Sequence, residues 1–214
     1  DNPDSAVELL LAVLKYSVVV IGGLLLMVVF FYPMILKIFT KLKDLDFFRA
    51  LQPGQLLAFS TSSSSATLPV TMKQVEEEIG VSEEISSFVL PLGATINMDG
   101  TSLYQGVAAV FIAQAMGFDL SLSQQLMIVM TATLASIGTA GVPGAGIIML
   151  IIVLESIGVP SAGIALILAP DRILDMFRTI VNVTGDAMVC TVVASTEGEL
   201  PDGLIRKSNP LTNS

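Results

Sequence analysis

Long uncharged stretches separated by short polar interruptions make up most of this chain. The segment from Val18 to Leu36 holds nineteen residues without a charge, about 29 Å as an α-helix, which matches the hydrocarbon core of a bilayer. Basic residues favour the cytoplasmic end of a span, and those that follow here are Lys37, Lys41, Lys43 and Arg49. We predict a transmembrane helix over residues 7–44, in which Pro33 either produces a kink or serves helix packing.

A second uncharged stretch, Leu126 to Leu154, is too long and too rich in glycine for one straight helix. Four glycines and one proline lie in its middle, from Gly138 to Gly146. Each interior glycine costs a helix about 1 kcal/mol and a proline about 3 kcal/mol. Two half-length helices that meet at an extended tip avoid this cost, so we predict a re-entrant hairpin over residues 121–158. Residues 47–79 repeat this plan around a polar tip, Ser60 to Ser65.

Two further apolar segments each contain a polar break. The segment 82–117 is interrupted at Asn97 to Gly100, and the segment 162–197 near Asn182 to Asp186. Interrupted segments in corresponding positions of a duplicated unit are typical of transporters whose site lies where the repeats meet. The predicted fold is an all-α membrane protein, an inverted-repeat transporter core with two re-entrant helical hairpins and two broken transmembrane helices. A cytoplasmic tail is predicted at 198–214.

The composition excludes several classes of function. Hydrophobic residues make up 53% of the 214 residues and charged residues only 14%, with a mean hydropathy of +0.80, whereas a soluble domain has about 25% charged residues. The net charge of −9 disfavours a nucleic-acid partner. Without histidine the usual general base is missing, so we expect no enzyme. Because the chain begins at Asp1 rather than Met, we expect further sequence upstream.

The tip of the first predicted hairpin is a candidate binding site for an anion. A run of serines such as Ser62 to Ser65 is typical of a flexible linker, but apolar arms flank this one. Thr67 and Pro69 suit the first turn of a helix, whose free N–H groups and positive dipole end favour an anion. The tip is therefore a candidate carboxylate site.

The break from Asn97 to Thr101 is a candidate cation site. Asn97 and Asp99 supply oxygen atoms of the kind that hard cations prefer, and Gly100 permits unusual backbone angles. The alternative is an ordinary Asp-Gly turn between two helices. The apolar sequence on both sides of the break favours cation coordination.

Polar residues on one face of the last helix form a third candidate site. Spacings of three, four, seven and eleven place them together, and they are Asp175, Arg178, Thr179, Asn182 and Asp186. One interpretation is a structural ion pair between Asp175 and Arg178. The other is recognition of a zwitterion with an additional negative charge, in which Arg178 binds a carboxylate through two hydrogen bonds and Asp175 holds an ammonium group. Asp186 would then remain for a cation.

Four motifs, in order along the chain, carry a resemblance to a known family. They are SSSSATLP at 62–69, NMDGT at 97–101, ASIGTAGVPGAG at 135–146 and DMFRTIVNVTGD at 175–186. Together they resemble the excitatory amino-acid transporter family of dicarboxylate/amino acid:cation symporters over nearly the whole chain. The resemblance implies an elevator-type, multi-pass transport domain in the plasma or inner membrane, in contact with lipid. It also implies a homotrimer in the full-length protein, whose scaffold helices are absent here.

The resemblance also implies the residues of the site. The substrate, L-aspartate or L-glutamate, is expected to contact Ser62, Ser64, Thr101, Val142, Gly146, Asp175, Arg178, Thr179 and Asn182. One co-transported sodium ion (Na+) is expected at Gly93, Asn97, Asn182 and Asp186, and a second at Thr95, Ser136, Ile137 and Thr139. A third is expected at Asn97 and Asp99 with groups from an absent helix. No organic cofactor is implied.

This chain departs from the family pattern at one charge. Members carry an arginine either where Ser62 stands or where Met176 stands, and neither is present here. Arg172 is the nearest basic residue that could replace it, so coupling to potassium stays open. Arg178 argues against the branch that carries neutral amino acids. We predict sodium-coupled symport of aspartate or glutamate, and the alternatives are a proton-coupled or C4-dicarboxylate carrier and a non-transporting binding fragment.

Overall fold

The fold is built from helices packed around one long central helix. The structure is a computed structural model that describes residues 3–200, with side chains from residue 7 onward. Within this range it contains helices and turns and no β-strand, which confirms the all-α prediction. Of the tail predicted at 198–214, residues 201–214 lie outside the described part of the chain.

The first rod consists of α1 (Pro3–Leu26), a π-helical turn (Met27–Phe31) and α2 (Tyr32–Phe39). Pro33 explains the turn, because proline has no N–H and its ring collides with the carbonyl four residues earlier in a regular helix. The wider turn closes instead through a bond from the Tyr32 N–H to the Met27 carbonyl. The helix ends at Phe39, so the prediction that it reaches residue 44 was wrong.

Among the described residues, only the rod is long and apolar enough to cross a membrane. Its apolar part spans Val7–Phe39. The most apolar stretch of 18 residues within it has a mean hydropathy of 2.6, and 22% of that stretch is buried inside the protein. Length and composition alone support this assignment. Two shorter apolar helices, Leu122–Ile137 and Ala145–Ser156, are the arms of the second hairpin.

The first hairpin consists of α3 (Asp44–Thr61) and α4 (Ser64–Gln74), which pack against each other and are followed by a π-helical turn (Val75–Ile79). Its tip is tight. Ser62 takes a left-handed conformation with φ of 52°, and the Ser63 hydroxyl accepts a hydrogen bond from the Ala66 N–H at 3.1 Å, which caps α4.

The side chain of Gln74 joins the two arms of this hairpin. Its Nε2 donates to the Ala50 carbonyl at 2.7 Å, and its Oε1 accepts from the Gly54 N–H at 3.0 Å. The amide therefore bridges two backbone groups that pair with each other in a regular helix, next to Pro53, which donates nothing. A Cβ on Gly54 would lie 2.5 Å from Oε1, so the bridge requires glycine there.

The second hairpin consists of α7 (Leu122–Ile137) and α8 (Ala145–Ser156), which also pack against each other. Ser121 and Gln124 form a capping box at the start of α7. The non-helical tip from Gly138 to Gly144 coincides with the predicted cluster of glycines and proline. Gly144 has φ of 76°, a conformation that costs glycine little.

One of the two predicted helix breaks is present. It separates α5 (Glu83–Ile96) from α6 (Asp99–Ala115) at Asn97 and Met98. The break predicted near Asn182 to Asp186 is wrong, because α9 (Leu168–Thr196) continues through it. The irregular segment precedes α9 as a 3-10 helix, Ser161–Ile167. A lone interior glycine costs a helix only about 1 kcal/mol, and the polar side chains here bond to other helices while their backbone stays helical.

The central helix α9 places polar side chains at the middle of the molecule. It packs against α1, α3, α4, α5 and α6. The five polar residues predicted to share one face are all buried, with exposed fractions of 2 to 4%; they are Asp175, Arg178, Thr179, Asn182 and Asp186. Ile173, on the other side of the helix, is 56% exposed.

Gln74→Leu tests the amide bridge. We expect a loss of about 2 kcal/mol of stability, because the change leaves buried backbone groups of Ala50 and Gly54 without their partner. This corresponds to a fall of roughly 4–8 °C in the midpoint of thermal unfolding, measured on the purified protein in detergent. The matched control is Gln52→Leu on the exposed side of α3. Equal midpoints for the two variants would show that the bridge contributes nothing.

Candidate functional site

A small cavity lies where the two hairpin tips meet α6 and α9. Its volume is about 10 Å³, roughly the space of one water molecule. All nine residues predicted to contact the substrate line it, namely Ser62, Ser64, Thr101, Val142, Gly146, Asp175, Arg178, Thr179 and Asn182. Four further lining residues were not predicted as substrate contacts: Met98, Thr139, Ala140 and Gly141.

The two hairpin tips bind each other above this cavity. The Ser63 hydroxyl donates to the Gly141 carbonyl at 2.7 Å, and the Ser65 N–H donates to the same oxygen at 3.1 Å. A Cβ on Gly141 would lie 2.6 Å from the Ser65 hydroxyl oxygen, so glycine is needed for this approach. Sequence reasoning left Ser63 and Gly141 out of the site, although both lie in the motifs it selected.

A buried ion pair connects the second hairpin to α9. Arg178 Nε donates to Asp175 Oδ1 at 2.8 Å, and both side chains are almost completely buried. The other carboxylate oxygen, Asp175 Oδ2, accepts from the Gly144 N–H at 2.9 Å. The predicted Asp175–Arg178 ion pair therefore exists, and it also anchors the tip of the second hairpin.

Part of Arg178 has no partner within the described residues. Its Nη1 makes no hydrogen bond there, and neither does the Ser62 hydroxyl oxygen. The guanidinium lies over the Tyr104 ring, 4.3 Å from its centroid, and the backbone of Gly146 comes so close that a Cβ would lie 2.5 Å from Nη1. Buried donors normally have partners, so a cationic N–H in a cavity suits a bound anion.

Three residues of the predicted first cation set, Gly93, Asn97 and Asp186, are brought together, and the fourth, Asn182, contacts the start of α6. Asn97 Nδ2 donates to Asp186 Oδ1 at 3.0 Å, and a Cβ on Gly93 would lie 2.7 Å from the same oxygen. Asn182 Oδ1 accepts from the N–H groups of Gly100 at 2.9 Å and Thr101 at 3.3 Å. Asn182 therefore caps the start of α6 from the neighbouring helix and closes the break.

The predicted second cation set lies where α5 meets the second hairpin. The Ala94 carbonyl oxygen would lie 3.1 Å from a Cβ on Gly141. The hydroxyls of Thr95, Ser136 and Thr139 bond to carbonyls of their own segments. Within residues 3–200 no hydrogen bond joins Thr95 to Ser136, Ile137 or Thr139, so the structure brings their segments together without linking these side chains.

The predicted third cation residue, Asp99, is held by two donors. Its Oδ1 accepts from the Gly100 N–H at 3.0 Å, and its Oδ2 accepts from the Tyr32 hydroxyl. Asn97 and Asp99 line a groove of about 1260 Å³ between α1, α6 and α7. The lining of the groove is mostly apolar, and Asn97 and Asp99 are among its polar members.

Several candidate functional residues were missed by sequence reasoning. Tyr104, which packs against Arg178, also donates to Asp171 Oδ1 at 2.6 Å. Gln105 is buried in α6, and its Nε2 donates to the Gly146 carbonyl at 3.0 Å. Both residues follow the NMDGT motif within one or two helical turns. This closeness in sequence was the signal that could have identified them as site residues. Arg172, considered as a substitute cation, is exposed and does not line the cavity.

Comparison with known proteins identifies the family. The model of the sodium:dicarboxylate symporter family matches residues 4–196, and this chain belongs to that family. Similar curated proteins include excitatory amino acid transporter 5 of Homo sapiens, 49% identical over 84% of this chain and 32% of its own length. Excitatory amino acid transporter 1 of Rattus norvegicus is 49% identical over 83% of this chain and 33% of its own length.

An excitatory amino acid transporter of Caenorhabditis elegans is 47% identical over 83% of this chain and 35% of its own length. The chain thus spans about a third of the length of these relatives. The four sequence motifs and the family assignment agree, so the predicted resemblance is confirmed.

Asp175→Asn tests the anchor of the second hairpin. We expect amide hydrogen exchange across residues 139–147 to become at least about tenfold faster, because a hydrogen bond to a charged group contributes about 1.5–3 kcal/mol. Hydrogen exchange read by mass spectrometry gives the rates. Asp44→Asn, which breaks the surface pair with Lys37, is the control and should change little. An unaltered rate in the Asp175 variant would contradict the assigned anchoring role.

Proposed function

We propose that this chain is the transport domain of a secondary transporter that carries L-aspartate or L-glutamate together with sodium. The observation that carries this proposal is that Arg178 lines the cavity between both hairpin tips and that its buried Nη1 has no hydrogen-bond partner among the described residues. Membership of the sodium:dicarboxylate symporter family supports the reaction class. Transport, rather than chemical conversion of the solute, is the proposed activity.

In this proposal an acidic amino acid displaces contacts that the protein now makes with itself. A substrate carboxylate pairs with the Arg178 guanidinium, with Ser62 and Ser64 nearby, while the Asp175 carboxylate receives the ammonium group. Thr179 and Asn182 supply the remaining polar contacts. A space of about 10 Å³ is too small for an amino acid, so the second hairpin must move away from α9 to admit it.

The hairpin tip is suited to such a movement. Few side chains hold it: the carbonyls of Gly141 and Gly146 accept hydrogen bonds, and the N–H of Gly144 donates one. Each of these bonds uses a backbone atom, so the tip can leave and return without rearranging a packed core. We propose that its opening admits substrate and that its closure encloses it.

Sodium coupling follows from where the proposed cation residues lie. Asn97 and Gly93 both lie against the same carboxylate oxygen of Asp186. Ser136, Ile137 and Thr139 belong to the hairpin that must close. Ions that bind only to the closed arrangement raise the affinity for substrate, and substrate raises the affinity for ions by the same factor. Asp99 with Asn97 is proposed to hold a third ion.

The membrane arrangement is also a proposal. We propose that both hairpins are re-entrant, because their arms of 11 to 18 residues are mostly shorter than the roughly 20 residues a full crossing requires. The domain would slide across a plasma or inner membrane as an elevator. The relatives are about three times as long, so a scaffold and a homotrimer are proposed for the full-length protein.

A C4-dicarboxylate carrier is the second candidate function. The name of the family, which refers to dicarboxylates, favours it. Asp175, which lines the cavity, favours an amino acid instead, because its carboxylate suits an ammonium group, which L-aspartate has and a C4-dicarboxylate lacks. Competition by succinate as strong as that by aspartate would decide for the dicarboxylate. Proton coupling and a non-transporting binding role are further outcomes of the measurements below.

Calorimetric titration with L-aspartate tests the coupling. We expect the affinity to rise by about 5- to 150-fold when sodium replaces choline, the range of typical coupling free energies. Full-length protein in liposomes should accumulate aspartate down a sodium gradient. Aspartate affinity that is the same in both salts would exclude sodium coupling, and binding without uptake would identify a non-transporting module.

Arg178→Lys tests the carboxylate contact. We expect the aspartate affinity to fall about thirtyfold or more, because truncating one partner of a buried, hydrogen-bonded charge pair costs about 2 kcal/mol or more. Lysine keeps the charge but cannot bind with two parallel N–H groups. Arg172→Lys, on the same helix but exposed, is the matched control and should stay within about twofold. Equal affinities of both variants would place the substrate elsewhere.

A further inference from the structure

The side chain of Tyr32, at the start of α2, reaches Asp99 of α6 and the backbone of α9. It is fully buried, and its hydroxyl contacts Asp99 Oδ2 and lies 3.2 Å from the Val181 carbonyl oxygen of α9. Three helices therefore meet at one phenolic oxygen. Neither the four sequence motifs nor the predicted cation residues include it.

The π-helical turn sets the direction of this side chain. The turn Met27–Phe31 inserts extra backbone before Pro33 and is followed directly by Tyr32. Such turns are rare and often lie at functional sites. Phe30 and Phe31, the last two residues of the turn, face outward, since they are 65% and 46% exposed. The two outward-facing residues at the end of the turn are thus followed directly by a tyrosine that points into the protein.

Gly185 shows that close approach of Tyr32 and Asp99 is built into α9. A Cβ on Gly185 would lie 2.9 Å from the Tyr32 hydroxyl oxygen and 3.0 Å from Asp99 Oδ2. Both distances are shorter than ordinary contacts of a methyl group. Any larger residue at this position would push the hydroxyl and the carboxylate apart, although alanine is the better helix former.

Asp99 needs a positioning partner because of its place in the backbone. It is the first residue of α6, directly after the non-helical pair Asn97 and Met98. The Gly100 N–H holds one carboxylate oxygen, and the Tyr32 hydroxyl holds the other. A carboxylate offers about four lone pairs, so two remain for a cation at a fixed orientation.

We propose that Tyr32 is a positioning residue for sodium at Asp99, an inference that rests on the sodium coupling proposed above. The hydroxyl holds the Asp99 carboxylate in the orientation that a small cation requires, and Gly185 leaves the space for it. Partners that orient a metal-binding side chain in this way typically change the metal affinity about 10- to 100-fold when they are removed.

The test compares Tyr32→Phe with wild type in two measurements on the purified protein. In the first, sodium replaces choline at constant ionic strength and no amino acid is present. The quantity measured is the sodium concentration that gives half of the sodium-dependent rise in melting temperature. The second is the aspartate affinity at saturating sodium. We expect the half-effect concentration to rise about tenfold or more, and the affinity at saturating sodium to stay within about threefold.

Tyr16→Phe is the matched control. It removes a hydroxyl from another buried tyrosine of the same rod, whose oxygen has no hydrogen-bond partner within the described residues. Its sodium response should equal that of the wild type. A rise as large as that of Tyr32→Phe would overturn the inference, because the loss of any hydroxyl from the rod would then suffice.

Gly185→Ala supplies an independent test that keeps the hydroxyl. We expect the half-effect sodium concentration to rise here as well, in spite of the better helix propensity of alanine. In the double variant the two effects should not multiply, because both act on the contact between Tyr32 and Asp99. Multiplying effects would show that the two residues act separately, against the inference.

Failure of the inference and failure of the proposed function are distinguishable. A wild type that responds to sodium, combined with an unchanged response of Tyr32→Phe, overturns the role of Tyr32 alone. A wild type that responds equally to sodium and choline overturns the proposed function and this inference with it. If Tyr32→Phe loses the sodium response and the aspartate affinity at saturating sodium to the same degree, the tyrosine has only a structural role, and the inference is overturned.

Discussion

The buried pair of Arg178 and Asp175 is the interaction that holds the centre of the molecule together. A guanidinium that is 2% exposed is stable only where a counter-charge and further hydrogen bonds compensate for lost hydration. Asp175 supplies the charge through one oxygen and reaches the Gly144 N–H with the other. The second hairpin is therefore held to α9 by the residue that neutralises the arginine, so whatever competes for this charge also acts on the hairpin.

Glycine makes this concentration of polar groups possible. Gly93, Gly141, Gly146 and Gly185 each lie where a Cβ would come within 3.0 Å of a polar atom of another segment. In a chain that is 53% hydrophobic, backbone groups must pair inside the protein. The absence of side chains at these positions lets helix breaks and tips approach charged groups directly. In the proposed opening, the second hairpin would separate by breaking only a few hydrogen bonds.

Much of the fold could be predicted from composition and spacing. The clustered glycines from Gly138 to Gly146 predicted the second tip, and the polar Asn97–Thr101 predicted the break before α6. The break predicted at Asn182 was wrong because polar residues in a helix do not by themselves interrupt its backbone. Asp186 accepts from Asn97 in the break before α6, and Asn182 accepts from Gly100 of α6, while α9 stays continuous. Nine of the thirteen residues that line the cavity were predicted as substrate contacts, because they lie in four local motifs. Tyr32, Tyr104 and Gln105 act through contacts between distant segments, which periodicity does not reveal.

Binding of an acidic amino acid between the hairpin tips and Arg178 is the proposal from which coupling and gating follow. An experimental density map of the full-length protein with L-aspartate and sodium would test it without an intermediate step. We expect a solute whose carboxylate contacts Arg178, a larger cavity between Ser62 and Gly146, and spherical peaks ringed by oxygen atoms near Asp186 and Asp99. A map in which the tips and Arg178 keep the arrangement described above, with aspartate bound at another surface, would refute the proposal.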